Sequence, residues 1–156
     1  MFSKRDAVVL LNEAMFGLAE GNEWTYFVEG YDAIIPLLDK VTAEQASVIP
    51  YKDGGSIGAH AIHIRYILHA ANAYDDNRRP TGTWDDTWSK NEVTIEEWDA
   101  LRLEIKERYQ RFITWLQRDD VPPPGAPTIA VLTILPHLAY HLGAIYQLHQ
   151  LQLSSD

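Results

Sequence analysis

Histidine is the residue type in this sequence whose spacing and surroundings suit metal chemistry. His137 and His141 lie four residues apart in a strongly apolar segment. On an α-helix this spacing places both imidazoles on one face, about 5 to 6 Å apart at Cβ. His63 lies in a second apolar segment, and a helical wheel places it at the centre of the apolar face. Because three unpaired imidazoles would be costly to bury, the sequence predicts that His63, His137 and His141 share one metal ion.

Three other histidines fit this site less well. His60 lies to one side of the His63 face, and we keep it as a reserve ligand. His69 points nearly the opposite way on the same predicted helix, and His149 lies about 120° from His137 around the last one. A lone histidine on an apolar face is more often a hydrogen-bonded core residue than a ligand, so a purely structural role competes with the metal site.

The available ligand types limit which metal could bind. The sequence has no cysteine, which excludes disulfides, thiolate ligands and a cysteine nucleophile. Imidazole nitrogen suits zinc or nickel, and three protein ligands leave a coordination position for water or substrate. Imidazoles with ordinary pKa values would take up protons and release the metal below about pH 6.

Two classes of function are compatible with such a site. The first is a metal-dependent enzyme that acts on a small molecule by hydrolysis, isomerisation or transfer of a thiol, and that would be classed as a transferase or hydrolase. The second is a non-catalytic helical bundle, metal-free or stabilised by a metal, that binds a small ligand or a protein partner. An accessible coordination position on a bound metal would separate the two.

Five amphipathic segments form the scaffold that the histidines need. Apolar residues recur at the helical period of 3.6, and no segment alternates convincingly as a strand. A capping box of Thr94 and Glu97 begins one long helix, and a similar box at Thr42 begins a short helical turn. The other predicted helices cover residues 5–19, 28–40, 56–76 and 128–150.

Two stretches, residues 77–91 and 119–127, interrupt the helical pattern and are predicted as loops. The first contains Trp84 and Trp88, which could close over the metal but which we expect to pack as a plug on the end of the helices. Short and moderate connections predict an all-α fold, an antiparallel four-helix bundle with an extra or broken N-terminal helix. The length of the chain suits one domain over residues 1–156.

Prolines and charge add further expectations. Pro36 and Pro136 fall inside helical patterns, where we expect kinks. The net charge is −9, with 22 acidic and 13 basic residues, which argues against nucleic acid as a partner. No stretch has the length and apolarity of a membrane span, and the N-terminal residues lack a signal-peptide pattern, so we expect a cytoplasmic protein.

The residues around the histidines resemble the DinB/YfiT-like superfamily of metal-binding bundles. The resemblance rests on SIGAHAIHI at residues 56–64 and LPHLAYHLGAI at residues 135–145, and it spans roughly residues 24–151. It implies a four-helix bundle that holds a divalent ion through one histidine of the second bundle helix and an HxxxH pair of the last. Carried over by position, these ligands are His63, His137 and His141.

The resemblance also implies partners, and a departure from the family's motif indicates a more apolar pocket. Members often carry His-Arg-Gly-Gln where this chain continues from His141 with Leu142, Gly143 and Ala144, so the glycine is kept and the polar neighbours are not. Some relatives transfer thiols such as bacillithiol, mycothiol or glutathione onto small electrophiles, which makes a low-molecular-weight thiol a candidate cosubstrate. Relatives often pair through their helices, so the resemblance implies a homodimer.

Overall fold

Helices form the regular structure of the described part of the chain. The computed structural model describes residues 3–28, 32–52, 54–75, 81–120 and 126–154, and within these residues it contains no strand. The helices are α1 (Lys4–Phe16), α2 (Ile34–Lys40), α3 (Ala43–Ala46), α4 (Ile57–Asn72), α5 (Ile95–Leu116) and α6 (Ala126–Leu153), with one short 3-10 helix, Asp85–Trp88. The predicted all-α class is therefore confirmed.

Polar side chains cap the starts of the helices as the sequence predicts. The Thr94 hydroxyl accepts a hydrogen bond from the Glu97 amide, and the Glu97 carboxylate accepts one from the Thr94 amide. Thr42 and Gln45 form the same reciprocal pair at α3. Ser56 caps α4 through its hydroxyl. These contacts satisfy amide groups of the first turn that have no partner inside the helix.

The N-terminal helices are shorter than predicted. α1 ends at Phe16 because Gly17 has a φ of 83°, a left-handed conformation that ends a helix. α2 begins at Ile34 and not at residue 28, and Pro36 is its third residue. At that position an amide has no intrahelical partner, so proline removes no hydrogen bond and the expected disruption at Pro36 is wrong.

α6 runs without interruption through the exposed Pro136. It begins at residue 126, two positions before its predicted start at 128. The kink expected just before His137 stays a prediction. Parts of both predicted loops, residues 76–80 and 121–125, lie outside the described residues.

α4 lies at the centre of the packing. Its most extensive contacts are with α5 and α6, while α1 contacts α6, α2 and α5. Fully burying one large apolar side chain stabilises the fold by about 1.5 to 3 kcal/mol, so this core fixes α4 firmly against its neighbours. The largest fully buried side chains of these helices include Leu11, Met15, Leu38, Ile64, Leu68, Ile105, Tyr109, Phe112 and Leu116.

The apolar face predicted around His137 is the buried face of α6. Ile134, Leu138, Ile145 and Leu148 are all buried, while the side chain of Ala130 lies outside the described residues. This face brings α6 against α4, the helix that carries His63. No helix in the described ranges is long and apolar enough to cross a membrane.

Candidate metal centre

The three predicted ligand histidines lie together between α4 and α6. His63 and His141 are fully buried, and His137 is half-buried. Their ring centroids form a nearly equilateral triangle, with 5.4 Å between His63 and His137, 4.9 Å between His63 and His141, and 5.1 Å between His137 and His141. One ligand nitrogen from each residue lies within 4.8 Å of the other two. This separation is compatible with one shared metal ion.

Two buried nitrogens of this triangle have no hydrogen-bond partner among the residues that the structure describes. The Nε2 atoms of His63 and His141 are buried and unpartnered. A buried polar atom without a partner is costly, and most such atoms in folded proteins are satisfied. A lone pair on imidazole nitrogen is a ligand that zinc and similar divalent ions bind. The residues present therefore fit a divalent ion.

The opposite nitrogens of the same two rings are hydrogen-bonded. Nδ1 of His63 lies 2.6 Å from the Thr87 hydroxyl oxygen, and that hydroxyl also lies 2.6 Å from the carbonyl oxygen of Trp84. Nδ1 of His141 lies 2.9 Å from Nδ1 of His60. His60, the reserve ligand, thus contacts a member of the triangle and does not belong to the group whose ligand atoms converge.

Burial makes the imidazoles of this site poor bases. Burial lowers the pKa of His63 to about 4, with further lowering by repulsion from His137 and His60. It lowers the pKa of His141 to about 3 and that of His60 to about 4, and it also lowers the pKa of His137. Neutral imidazole is the form that binds metal, so protons would compete with a metal only at lower pH than the predicted pH 6.

Trp84 and Trp88 pack on the histidines. The Trp84 ring meets His63 edge-on at 4.3 Å and lies 5.0 Å from His137. The Trp88 ring stacks on His63 at 4.7 Å and on His141 at 5.9 Å. These contacts favour the alternative that the two rings close over the site, beside the expected plug on the end of the helices. Their four-residue spacing is the signal that could have indicated a shared face.

Hydrogen bonds from α4 and its N-cap residue Ser56 hold residues 81–91, here called the tryptophan segment, in place. The Tyr66 hydroxyl donates to the carbonyl of Gly82 at 3.3 Å. At the other end of the segment, the Ser56 hydroxyl donates to the carbonyl of Asn91 at 2.6 Å, and the Ser56 amide donates to the Asn91 side chain at 3.0 Å. Gly55 has no side chain, and a Cβ there would lie 3.3 Å from the Trp88 ring. α4 thus positions both His63 and the aromatic rings that cover it.

The remaining histidines lie outside the triangle, as predicted. His69 accepts a hydrogen bond from the Arg108 guanidinium at 3.0 Å and lies 3.2 Å from the Thr81 hydroxyl. His149 is buried on α6 but does not join the converging ligand atoms. Tyr140 packs edge-on against His141 at 5.0 Å and is mostly exposed. Sequence reasoning missed Thr87, because a threonine in a loop carries no signal of a histidine partner.

The helices and the triangle define an all-α protein with a candidate three-histidine metal centre between α4 and α6. The chain belongs to the DinB superfamily, whose family model matches residues 26–145. The matched range contains all three histidines and the tryptophan segment, which confirms the resemblance seen in the sequence. No curated protein and no solved structure matches the chain. Membership of a family fixes a fold better than a reaction, so function must come from the site.

Proposed function

We propose that this protein is a metal-dependent enzyme acting on a small molecule, with His63, His137 and His141 as the ligands of one divalent ion. The observation that carries the proposal is the convergence of three ligand nitrogens within 4.8 Å. Two of these residues also have buried Nε2 atoms without a partner, which a metal would satisfy. The donor set is all imidazole, so zinc or nickel is the proposed metal.

The chain contributes ligands, an aromatic cover and an accessible side. When bound, the ion would polarise a carbonyl or lower the pKa of a bound water or thiol. Trp84 and Trp88 limit the access of bulk water to His63, which strengthens electrostatic interactions inside the site. His137 is only half-buried, so the site is reachable on that side.

A low-molecular-weight thiol is the proposed cosubstrate. Three neutral imidazoles would leave the charge of a divalent ion uncompensated in apolar surroundings, where attraction to an anion is weakly screened. A thiolate supplies that negative charge, and thiol transfer is accordingly the reaction we favour beside hydrolysis and isomerisation. No residue is assigned as a general acid or base.

A non-catalytic role is the second candidate. It is favoured by the close packing of Trp84 and Trp88 on His63, at ring distances of 4.3 and 4.7 Å, because such a cover could close the site. A metal held there would stabilise the helices, and the protein would act by binding a ligand or a protein partner. The two candidates differ in whether a small ligand can reach the bound ion.

We also propose an antiparallel four-helix bundle and a homodimer as the architecture and assembly of this protein. The contacts of α4 with α5 and α6, and of α1 with α5 and α6, support an antiparallel bundle of these four long helices, with α2 and α3 as the additional N-terminal pieces. We expect a cytoplasmic homodimer that binds neither nucleic acid nor membrane, which the net charge of −9 supports for nucleic acid.

Metal analysis of protein purified without a histidine tag tests the proposal. The native chain should retain close to stoichiometric zinc or nickel, and a variant with His63, His137 and His141 all replaced by alanine should retain almost none. His149→Ala is the matched control, since it removes a buried imidazole of α6 outside the triangle and should leave the metal content unchanged. Circular dichroism verifies that each variant is folded.

The milder variant His137→Ala guards against misfolding of the triple variant, because His137 is only half-buried. It should weaken metal binding while the helical spectrum remains native. Equal metal content in the native chain and in a folded variant lacking all three histidines would refute the site assignment.

A further inference from the structure

Two imidazoles of the triangle share one pattern of contacts although they come from different helices. In His63 and in His141, Nδ1 has a polar partner while Nε2 is buried without one. A neutral imidazole carries one proton, and the nitrogen without the proton is the one that can bind a metal. The partner of each Nδ1 therefore decides whether Nε2 is available.

The Thr87 hydroxyl determines which nitrogen of His63 carries the proton. A carbonyl oxygen only accepts hydrogen bonds, so the contact of 2.6 Å commits the hydroxyl proton of Thr87 to the carbonyl of Trp84. The Thr87 oxygen then accepts from His63 at 2.6 Å, which requires a proton on Nδ1 of His63. The lone pair of His63 is thereby left on Nε2.

His60 determines in the same way which nitrogen of His141 carries the proton. A single proton lies between the two Nδ1 atoms, which are 2.9 Å apart. If His60 were the donor, His141 would carry its proton on Nε2, where a buried N–H would have no acceptor. With His141 as the donor, its lone pair is on Nε2 and a metal can satisfy it. Trp88 packs edge-on against the His60 ring at 5.2 Å and supports this orientation.

We infer that Thr87 and His60 are positioning residues that hold His63 and His141 with the proton on Nδ1, so that both Nε2 lone pairs face a metal. The inference rests on the proposed function, and it changes the role of His60 from reserve ligand to hydrogen-bond acceptor. Partners that orient metal-binding histidines in this way typically change metal affinity by about 10- to 100-fold when removed.

The first measurement is the tautomer of each histidine in the metal-free protein, by long-range proton–nitrogen correlation on a 15N-labelled sample in chelator. His63 and His141 should both carry the proton on Nδ1. Finding the proton on Nε2 of either residue in the native chain would overturn the inference, whatever the behaviour of any variant. This measurement needs no bound metal and no activity.

The second measurement compares paired variants by competition with a chromophoric zinc chelator. Thr87→Val removes the acceptor at nearly constant volume, and Thr87→Ser restores it. His60→Leu removes the other acceptor, and His60→Asn places an amide oxygen near the position of Nδ1. Thr87→Val and His60→Leu should weaken zinc binding by about 10- to 100-fold, while Thr87→Ser and His60→Asn should stay within a few-fold of the native chain.

The two measurements separate this inference from the proposed function. Unchanged tautomers and unchanged zinc affinity in folded Thr87→Val and His60→Leu would overturn the positioning roles and leave the metal site standing. A native chain that shows the expected tautomers but binds neither zinc nor nickel would instead refute the proposed function, with the hydrogen-bond assignment intact.

Discussion

The neutral imidazole is the chemical form on which the candidate site depends. Burial lowers the pKa of His63 and His141 far below 7, so both rings are ready to bind a metal at physiological pH without first losing a proton. The Nε2 atoms of the same two rings are buried without a hydrogen-bond partner among the described residues. A bound ion would satisfy both atoms and would stabilise the folded chain.

Acid should destabilise the metal-free protein. The folded-state pKa values of His60 and His63 are about 4 and that of His141 is about 3, whereas the unfolded chain titrates near 6.5. Between these values the unfolded state binds more protons, so stability is fully present above about pH 6.5 and is lost as the pH falls. The free energy of unfolding should decrease by on the order of 1 kcal/mol per pH unit for each imidazole.

Urea unfolding in the presence of a metal chelator, at several pH values between 7 and 5, measures the pH dependence of the free energy of unfolding. His141→Asn should flatten the slope, since it removes the imidazole with the most strongly lowered pKa. A stability that is constant over this range, or a slope that His141→Asn leaves unchanged, would contradict the attribution to buried neutral imidazoles.

Residue spacing predicted which histidines meet but not what holds them. The triangle could be predicted from two sequence features: the four-residue spacing of His137 and His141, and the apolar faces of the two helices that carry the histidines. The partners Thr87 and His60 lie 24 and 81 residues from the rings they contact. Such contacts depend on how a loop and two helices pack, which local pattern does not encode.

At the scale of the elements, the helix starts that carry a capping box were predicted better than the start of α2. Capping boxes are local, so Thr94 and Thr42 marked their helices correctly. The helix predicted from residue 28 begins only at Ile34. At the predicted start, the buried Glu13 carboxylate accepts the amides of Tyr26, Phe27 and Val28, at 2.8, 2.6 and 2.9 Å. This contact between parts of the chain that are distant in sequence fixes the backbone there, and sequence patterns do not reveal it.

Glu13→Gln should destabilise the protein by about 2 to 3 kcal/mol, because it replaces a charged acceptor of three amides with a neutral group that also carries donors. Chemical unfolding measures the effect. Glu20→Gln is the matched control, since Glu20 is an exposed glutamate near the N-terminal helix, and it should change stability by less than about 0.5 kcal/mol. Equal effects of the two substitutions would show that the Glu13 contacts carry no particular weight.

At the scale of the whole molecule, the outer face of α6 is apolar and uncharged. α6 contains no Asp, Glu, Lys or Arg, and the exposed residues Ile129, Leu132, Pro136 and Tyr140 recur at helical spacing along one side. Ile129 and Tyr140 are each 64% exposed, and a contiguous exposed apolar face of this kind typically marks an interaction surface. We expect this face to pair with its copy in the proposed homodimer.

Leu132→Glu should shift the assembly toward single chains, because it would bury an unpaired charge at the two-fold contact. Light scattering across a wide dilution range should give the mass of two chains for the native protein and a lower mass for the variant. Leu103→Glu on α5 is the control, at 57% exposure against 49% for Leu132, and should not change the mass. A native mass near that of one chain throughout would contradict the dimer.

That residues 1–156 form a single domain also stays a prediction.

The most direct measurement of the central claim, an accessible three-histidine metal centre, is the visible spectrum of the cobalt-substituted protein during titration with a small thiol. Cobalt should bind through His63, His137 and His141, and the thiol should shift its absorption bands and add a sulfur-to-metal transition. The effect should strengthen as pH rises toward the pKa of the thiol, since the thiolate is the ligand. A spectrum that stays constant at saturating thiol, with cobalt confirmed bound, would show a closed site and favour the non-catalytic role.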